Sequence, residues 1–252
     1  MSIYITGDMH GNFKRLSKKN RMRLPFAIGT DDYLIVCGDF GLLWCYDKEY
    51  EYNIKCLSQL PFTLLWVQGN HDNYNMMKDF ELEEWNGGQA RHIVRDKIIL
   101  LERGQVFSIQ GNTIFTFGGA QSHDIDGGIL DREDAEFSLK KHKLKKDGKQ
   151  FRILNESWWK EELPSELELE LGLANLANHD YKVDYIITHC GPTKHHSKVA
   201  PDRVEDNILI NYFDKLDEDV DFKKWYFGHY HKDIETDSKH RVIYKDIIKL
   251  GD

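Results

Sequence analysis

Short apolar runs rich in β-branched and aromatic residues recur along the chain and predict β-strands. The runs are SIYIT, YLIVC, FTLLWVQ, KIILLERG, NTIFTFGG, VDYIITH, KWYFGHY and HRVIYKDII. Between the early runs, Asp47 to Leu60 keeps Ile54, Leu57 and Leu60 at helical spacing and predicts a helix. The chain alternates strands and helices, becomes strand-rich, and then alternates again. This order predicts a layered α/β domain with a mixed sheet or two stacked sheets.

Local signals place further elements. Ser165 followed by Glu168 has the pattern of a capping box and predicts a helix that runs to about Asn178. A second helix is predicted from Glu205 to Leu216, because its apolar residues fall on one face. The stretch SIQGNTIF predicts a hairpin turn around Gly111.

One segment differs in amino-acid composition from the rest of the chain. Residues 121–163 are polar, glycine-containing and lysine-rich, and they lie between a predicted strand and a predicted helix. We interpret the chain as a single domain, 1–252, with a cap-like insertion at about 121–163, in which His123, Arg132 or the tryptophans shape substrate choice. Its basic run, Lys140 to Lys149, contains no interleaved aromatic residue, so we interpret it as a solvated helix face or loop.

Five of the predicted strands end in side chains that coordinate metals or titrate. The strands lead into GDMHG, GD, GNHD, a single histidine and GHYH. The residues so placed are Asp8, His10, Asp39, Asn70, His71, Asp72, His189, His229 and His231. Because ligands in α/β folds bind at the carboxyl ends of strands, we expect these side chains to converge on one crevice.

Composition and charge limit the classes of function. Of 252 residues, 40% are hydrophobic and 30% charged, as in an ordinary globular protein, and no apolar stretch approaches the roughly 20 residues that span a bilayer. We expect no signal peptide and no membrane partner, and four unpatterned cysteines predict reduced thiols in the cytoplasm. The net charge of −8 does not favour broad binding to nucleic acid.

The chemistry of the converging residues predicts a two-metal site. Imidazole nitrogen with carboxylate or amide oxygen suits zinc, manganese, iron or nickel. One aspartate must be shared, because a carboxylate can bridge two cations roughly 3.5–4 Å apart. Two divalent ions and a bridging hydroxide, set against Asp8 and Asp39, leave about one positive charge when the histidines are neutral. An acidic protein can therefore bind a phosphate at this position.

The ordered set D-x-H, G-D, G-N-H-D, H and G-H-x-H, which runs from Asp8 to His231, resembles the calcineurin-like metallophosphoesterases. The resemblance implies a four-layer αββα sandwich of two mixed β-sheets flanked by helices, with a dinuclear metal centre at the strand ends. It also implies hydrolysis of a phosphate ester by in-line attack of a metal-bridging hydroxide.

The resemblance further implies a role for each matching position. The first metal is assigned to Asp8, His10 and His231, the bridge to Asp39, and the second metal to Asn70, His189 and His229. Asp39 and His71 are the expected catalytic residues, and Asn70 and His71 are expected to contact substrate. His71 contacts phosphate and protonates the leaving oxygen, with Asp72 or Asp8 as its orienting partner. We interpret His195 and His196 as exposed loop residues instead of further ligands.

The leading prediction is a cytoplasmic hydrolase with two divalent ions (Mn, Fe, Zn or Ni) that acts on a small phosphodiester or phosphomonoester. The stretch GDFGLLWCY lacks the arginine of the family's serine/threonine protein phosphatases, and Asp72 replaces their glutamate, so a protein phosphatase is disfavoured. A nuclease of the same family is the first alternative and would need a basic groove. A non-catalytic scaffold is the second, and it would have lost a ligand, whereas every ligand position is intact.

Overall fold

The computed structural model describes residues 1–202 and 206–252. Its strands are β1 (Ile3–Thr6), β2 (Tyr33–Val36), β3 (Thr63–Trp66), β4 (Leu82–Trp85), β5 (Gly88–Val94), β6 (Ile98–Leu101), β7 (Gln105–Ile109), β8 (Asn112–Phe117), β9 (Ile129–Leu130), β10 (Arg152–Ile153), β11 (Tyr185–Thr188), β12 (Lys224–Phe227), β13 (Ile234–Glu235), β14 (His240–Val242) and β15 (Ile247–Lys249). Its α-helices are α1 (Lys18–Arg21), α2 (Lys48–Ser58), α3 (Tyr74–Met77), α4 (Phe137–Lys146), α5 (Glu166–Ala177), α6 (His196–Val199) and α7 (Ile208–Asp219). Short 3-10 helices cover Phe13–Leu16, Lys160–Glu162 and Thr193–His195.

Two large mixed sheets form the centre of the molecule. The first has the strand order β15-β1-β2-β3-β6-β5-β4, and β1, β2, β3 and β6 run parallel. The second has the order β13-β14-β12-β11-β8-β7, with β8, β11, β12 and β14 parallel. Because the parallel strands pair in register, the carboxyl ends of β1, β2 and β3 lie at one edge, and those of β11 and β12 lie together in the second sheet.

The space between the sheets is filled by alternate side chains of their strands. Ile5, Ile35 and Leu65 from the first sheet share one apolar cluster with Ile187 and Tyr226 from the second. All five side chains are fully buried or nearly so. The burial of each such side chain contributes roughly 1.5–3 kcal/mol to the stability of the fold. The two sheets therefore form one packed unit.

Helices cover the outer faces of both sheets. Leu57 of α2 packs in a cluster with Leu34 on the outer side of the first sheet. Leu176 of α5 and Phe213 of α7 pack in a cluster with Trp225 on the outer side of the second. The order helix, sheet, sheet, helix confirms the predicted four-layer sandwich of two mixed sheets.

The local signals locate several helix ends correctly. Asp47 caps α2, and Ser165 with Glu168 forms the predicted capping box of α5. Helix α7 begins after its cap Asn207, and Glu205, where we predicted its start, lies outside the described residues. The predicted hairpin joins β7 to β8 through Gln110 and Gly111, whose φ angles of 50° and 77° are typical of a tight two-residue turn.

The segment 121–163 has its own small structure. Strands β9 and β10 form a two-stranded parallel sheet, and α4 lies between them in sequence. None of the residues of α4 is buried, which confirms that the basic run through Lys146 is a solvated helix face. In the part of the chain that the structure describes, no helix is both long and apolar enough to cross a membrane.

Candidate metal centre

The loops that follow five strands meet with almost no space between their backbones. Gly69 lies so close to Asp39 that a β-carbon on it would fall 2.0 Å from the Asp39 Oδ1 atom. Gly38 has a φ of 83°, and a β-carbon there would meet the His189 ring at 2.2 Å. Glycine is therefore required at Gly69 by the close approach, and at Gly38 by both the close approach and the positive φ.

Several of the converging residues have strained backbones. His10, Asp39, His229 and His231 have φ angles of 47°, 48°, 66° and 52°. Positive φ is uncommon for residues other than glycine and costs of the order of 1 kcal/mol each. The surrounding structure must hold these residues in place, and such strain concentrates at functional sites.

The first predicted ligand group is assembled in the structure. The Nε2 atoms of His10 and His231 lie 2.9 Å apart, and His231 Nε2 is 3.1 Å from Oδ2 of the buried Asp8. Two imidazole nitrogens this close need a proton or a cation between them, because their lone pairs would otherwise repel. The side chains of His10 and His231 are 34% and 49% exposed, so this group is open to a ligand from solvent.

The second group is deeper. His189 donates from Nδ1 to the carbonyl oxygen of Cys37 at 2.7 Å, which turns Nε2 toward Asp39 Oδ1 at 3.3 Å and Asn70 Oδ1 at 3.1 Å. The ring of His229 lies 5.1 Å from that of His189, measured between centroids. A histidine whose second nitrogen is fixed by a carbonyl group is typical of metal ligands.

Asp39 lies between the two groups. Its Oδ2 is 3.7 Å from Nε2 of His10, and its Oδ1 is 3.3 Å from Nε2 of His189. The carboxylate is buried, and its Oδ1 also accepts from the backbone N–H of His71 at 2.7 Å. Asp39 thus has an oxygen facing each group, as a bridging ligand requires.

The charges of this site favour a bound cation. Burial alone would raise the pKa of Asp39, but His189 and the other nearby imidazoles hold that pKa well below its ordinary value. Burial would lower the pKa of His189, yet the charge of Asp39 raises it to about 10. The carboxylates therefore attract positive charge strongly, and two imidazole–oxygen groups with a shared carboxylate fit a pair of divalent ions.

Asn70 is held by two residues that the sequence analysis missed. Its Nδ2 donates to Ser122 Oγ at 3.2 Å, and Ser122 Oγ donates to Glu162 Oε2 at 2.6 Å. The backbone N–H of Ser122 also donates to Glu162, at 2.9 Å. These hydrogen bonds leave the carbonyl oxygen of Asn70 facing His189. No sequence motif marks Ser122 or Glu162, because they matter only through the folded contact.

The two aspartates considered as partners of His71 have other contacts. Asp72 accepts from the backbone N–H groups of Gly41 and Gly69 at 2.8 and 2.9 Å, and Asp8 accepts from the N–H of His229 at 3.1 Å. Among the described residues, neither carboxylate is hydrogen-bonded to the His71 ring. Burial, with the nearby charge of Asp39, raises the pKa of Asp72 to about 7. Asp72 therefore fixes the metal-site loops.

The partner of His71 comes from the insertion. Arg152 Nη2 lies 3.1 Å from Nδ1 of His71, and Arg152 is itself paired with Asp124, with Nε 3.0 Å from Oδ1. The same Nη2 atom lies 3.4 Å from Nε2 of His71, so the guanidinium faces both nitrogens of the ring. Burial lowers the pKa of His71 to about 4, and Arg152 adds to this lowering against the charge of Asp39.

The other predicted residues of the insertion divide into two kinds. The His123 ring is 5.6 Å from that of His229, so it borders the site. Arg132 instead pairs with Glu156 at an exposed position. Trp159 is fully buried in the outer cluster of the first sheet, where it packs on Trp44.

One interpretation from the sequence is wrong. His195 and His196 are not exposed loop residues, because only 2% and 6% of their surfaces are accessible. They lie in two short consecutive helices that pack inward, and His196 Nε2 contacts the hydroxyl of Tyr230 at 2.9 Å.

A cavity of about 390 Å³ adjoins the first ligand group. His10, His71 and Arg152 form one wall, and Leu42, Trp44 and Tyr50 are among the residues that form the rest. Its size is that of a pocket for a small molecule, and it combines an apolar surface with the polar groups of the site.

Comparisons with known proteins identify the family of the chain. The model of the family described as calcineurin-like phosphoesterase matches residues 1–233. Among solved structures, the phosphopantetheinyl hydrolase from Mycobacterium tuberculosis is similar at 15% identity and a TM-score of 0.43, over 96% of this chain and 88% of that one. No curated protein matches at a significant level. The family match covers nearly the whole chain, including all the predicted ligand positions, and the chain therefore belongs to the calcineurin-like phosphoesterase family.

Proposed function

We propose that the chain hydrolyses a small phosphate ester with the help of two divalent cations. As a member of its family it is a metal-dependent phosphoesterase, and the proposal concerns the residues, the metal count and the class of substrate. Asp8, His10 and His231 would hold one cation, and Asn70, His189 and His229 the other. The assignment rests on the position of Asp39, whose two carboxylate oxygens face His10 and His189.

The bound cations would supply Lewis acidity toward the phosphoryl oxygens and a water that ionises near neutral pH. The chain's own residues would do the rest. His71 and Arg152 lie beside the first group and would bind the phosphate from one side. As an imidazolium, a form that the negative charge of a bound phosphate would favour, His71 would donate a proton to the leaving oxygen.

The cavity beside His10 supports a small substrate. Its volume of about 390 Å³ suits a compact leaving group, and Trp44 and Tyr50 offer aromatic contact. Asp47 and Glu49 line the same cavity and disfavour further anionic groups there. The substrate would thus be a phosphodiester or phosphomonoester whose organic part is uncharged or cationic.

The four free cysteines support a reducing, cytoplasmic location for this activity.

We further propose that the insertion at 121–163 caps the site. Arg152 reaches the ring of His71, and Ser122 and Glu162 hold Asn70. The insertion would therefore act at both metal positions and at the substrate phosphate. This role differs from that of a mobile lid, because its contacts with the site are buried or half-buried hydrogen bonds.

A nuclease is the second candidate, and one observation favours it. A groove of about 810 Å³ shares His10 with the cavity, and Lys14, Lys18 and Arg21 lie along it. A polyanion would bind there by releasing counterions, so its affinity would fall steeply with salt. Turnover of single-stranded DNA that drops at least about tenfold between 50 and 200 mM salt would favour this candidate over a small ester.

Reconstitution tests the main proposal. The metal-free protein is loaded separately with Mn²⁺, Fe²⁺, Ni²⁺ or Zn²⁺, and the hydrolysis of a chromogenic phosphodiester is compared with that of the monoester. We expect two ions per chain at this site and turnover only after loading. Asp39→Asn should lower turnover at least about 100-fold, because it alters the bridge between both ions. Asp147→Asn, at an exposed position, is the control. Near wild-type turnover by Asp39→Asn would refute the assignment.

A further inference from the structure

A second cluster of imidazole and carboxylate groups lies apart from the site described above. It consists of His195, Asp217 and His240, and it shares no residue with the dinuclear group. The three residues come from a 3-10 helix, from α7 and from β14, on the helix-covered side of the second sheet. Each offers one ligand atom, and these atoms lie within 4.8 Å of one another.

The cluster is buried, which makes its polar atoms informative. His195 and His240 are 2% and 1% exposed. The Nε2 atom of His195 is buried and has no hydrogen-bond partner among the described residues. Leaving one such atom unpaired costs about 1–3 kcal/mol. An unpaired His195 nitrogen next to a second imidazole and a carboxylate indicates that something else satisfies it.

The orientation of His240 is that of a metal ligand. Its Nδ1 lies 2.9 Å from Oδ1 of Asp237, so Nδ1 donates and the lone pair of a neutral ring is on Nε2. That Nε2 atom is 3.1 Å from Oδ1 of Asp217. A carboxylate that orients the far nitrogen of a histidine is the usual support of metal-bound imidazole.

His195 completes the donor set. Its ring centroid is 4.1 Å from that of His240, with 35° between the planes. Burial lowers the pKa of His195 to about 4, and the adjacent His240 adds to this lowering. A neutral ring at this position has one nitrogen lone pair to share with a cation.

The charges leave room for a divalent ion. Asp217 and Asp237 bring two negative charges, and Lys194, which pairs with Asp217, brings one positive charge. With both imidazoles neutral, the cluster has one excess negative charge in a buried position, and a cation would offset it. The alternative is an extra proton that makes His240 an imidazolium between the two aspartates.

We propose that His195, Asp217 and His240 form a third, structural cation site. Two imidazoles and one carboxylate suit Zn²⁺ better than Mg²⁺ or Ca²⁺. The bound ion would tie the Thr193–His195 turn to α7 and β14. That turn follows His189 by only a few residues, so the site would also steady the segment that carries this ligand of the dinuclear centre.

Zinc stoichiometry tests the proposal without reading any activity. The protein is equilibrated with buffered Zn²⁺, freed of excess metal and assayed for zinc per chain. His195→Gln should bind one zinc fewer than His196→Gln, a matched control that replaces the neighbouring buried histidine outside the cluster. Equal zinc in the two variants would overturn the proposal and would favour the protonated His240.

A measurement on the unaltered protein covers the case in which His195→Gln does not fold. Anomalous diffraction at the zinc edge should show a peak among His195, Asp217 and His240 in crystals of the zinc-loaded chain. A map with peaks only at the dinuclear centre would overturn the third site and leave the proposed phosphoesterase function intact. A peak only at the third site would support that site and would refute the two-cation assignment of the proposed function.

Discussion

The hydroxyl of Ser122 donates to the carboxylate of Glu162 at 2.6 Å, although 40 positions separate these two buried residues. The contact closes the base of the insertion and at the same time holds Asn70. The insertion and the metal centre are therefore coupled. For this reason a deletion of the entire segment from Gln121 to Lys160 would remove a support of the second metal.

Ser122→Ala should weaken the second metal position. The substitution removes the acceptor of the Asn70 amide and one of the two hydrogen bonds from Ser122 to Glu162. Losses of this kind reduce metal affinity about 10- to 100-fold. Titration of the metal-free protein with Mn²⁺ would show the weaker of two binding steps shifted to a higher Mn²⁺ concentration. Ser157→Ala, in the same insertion but away from Asn70, should titrate as wild type does. An unchanged titration of Ser122→Ala would mean that Asn70 needs no such support.

Arg152→Ala should impair substrate binding more than metal binding. We expect kcat/KM to fall about 10- to 100-fold, because a charge-assisted hydrogen bond contributes about 1.5–3 kcal/mol. Steady-state kinetics at full metal loading measures the effect. Arg132→Ala, also in the insertion but paired at an exposed position, is the matched control. If both variants behave alike, Arg152 does not contact the substrate.

His71→Ala should slow esters with poor leaving groups more than those with good ones. A leaving oxygen of high pKa needs the proton that His71 would supply, whereas a nitrophenolate leaves without it. Rates for a series of aryl and alkyl esters, plotted against leaving-group pKa, would show a steeper slope in the variant. His142→Ala, on the exposed face of α4, should keep the wild-type slope. Equal slowing of all esters would remove His71 from the acid role.

Trp44→Ala should distinguish substrates by their organic part. Trp44 lines the cavity beside His10, and removing an aromatic contact there should raise KM for a phenyl ester about fivefold or more. KM for a methyl ester, which is too small to reach the ring, should change little. Initial rates on the two esters measure this difference directly. An equal change for both would place the organic group outside this cavity.

Asp184→Asn tests a pH dependence away from the site. Asp184 accepts from the backbone and hydroxyl of Thr113 at 2.8 and 3.0 Å and pairs with Lys223 at 2.6 Å. Burial opposes ionisation, but these partners outweigh it and lower the pKa of Asp184. A carboxyl group with a lowered folded-state pKa adds stability above its unfolded pKa of about 3.9 and loses it as the pH falls further.

Urea unfolding of the metal-free protein would measure this effect. We expect Asp184→Asn to lower the free energy of unfolding by about 1 kcal/mol at pH 7, with the difference shrinking below about pH 4. Asp221→Asn, which breaks only an exposed pair with Lys182, should change it by less than about 0.5 kcal/mol. A difference that persists unchanged at pH 3 would rule out ionisation as its source.

The parts of the fold that could be predicted are those with strong local patterns. The capping box of Ser165 and the continuous apolar runs of β1, β2 and β3 are complete in a few adjacent residues. Strand β4, with the sequence LEEW, was missed because it is an edge strand whose side chains are half-buried or exposed. Such a strand has little apolar signal of its own and forms through pairing with β5.

The candidate site divides in the same way. Asp8, Asp39 and His189 could be singled out because each lies within three residues of the end of an apolar strand. Ser122 and Arg152 could not be predicted, because their positions depend on how a polar insertion folds over the strand ends. The burial of His195 was missed for a similar reason, because the polar sequence of a short helix does not show that other elements of the fold will cover it.

The distribution of the proposed ligands over both sheets has a consequence for biosynthesis. His10 and His231 lie 221 positions apart and meet only when β1 and β12 are both in place. Pairing over such a distance is a late event in folding. A growing chain on the ribosome could not capture its first metal until nearly all of it had emerged, so metal uptake would mark a finished molecule.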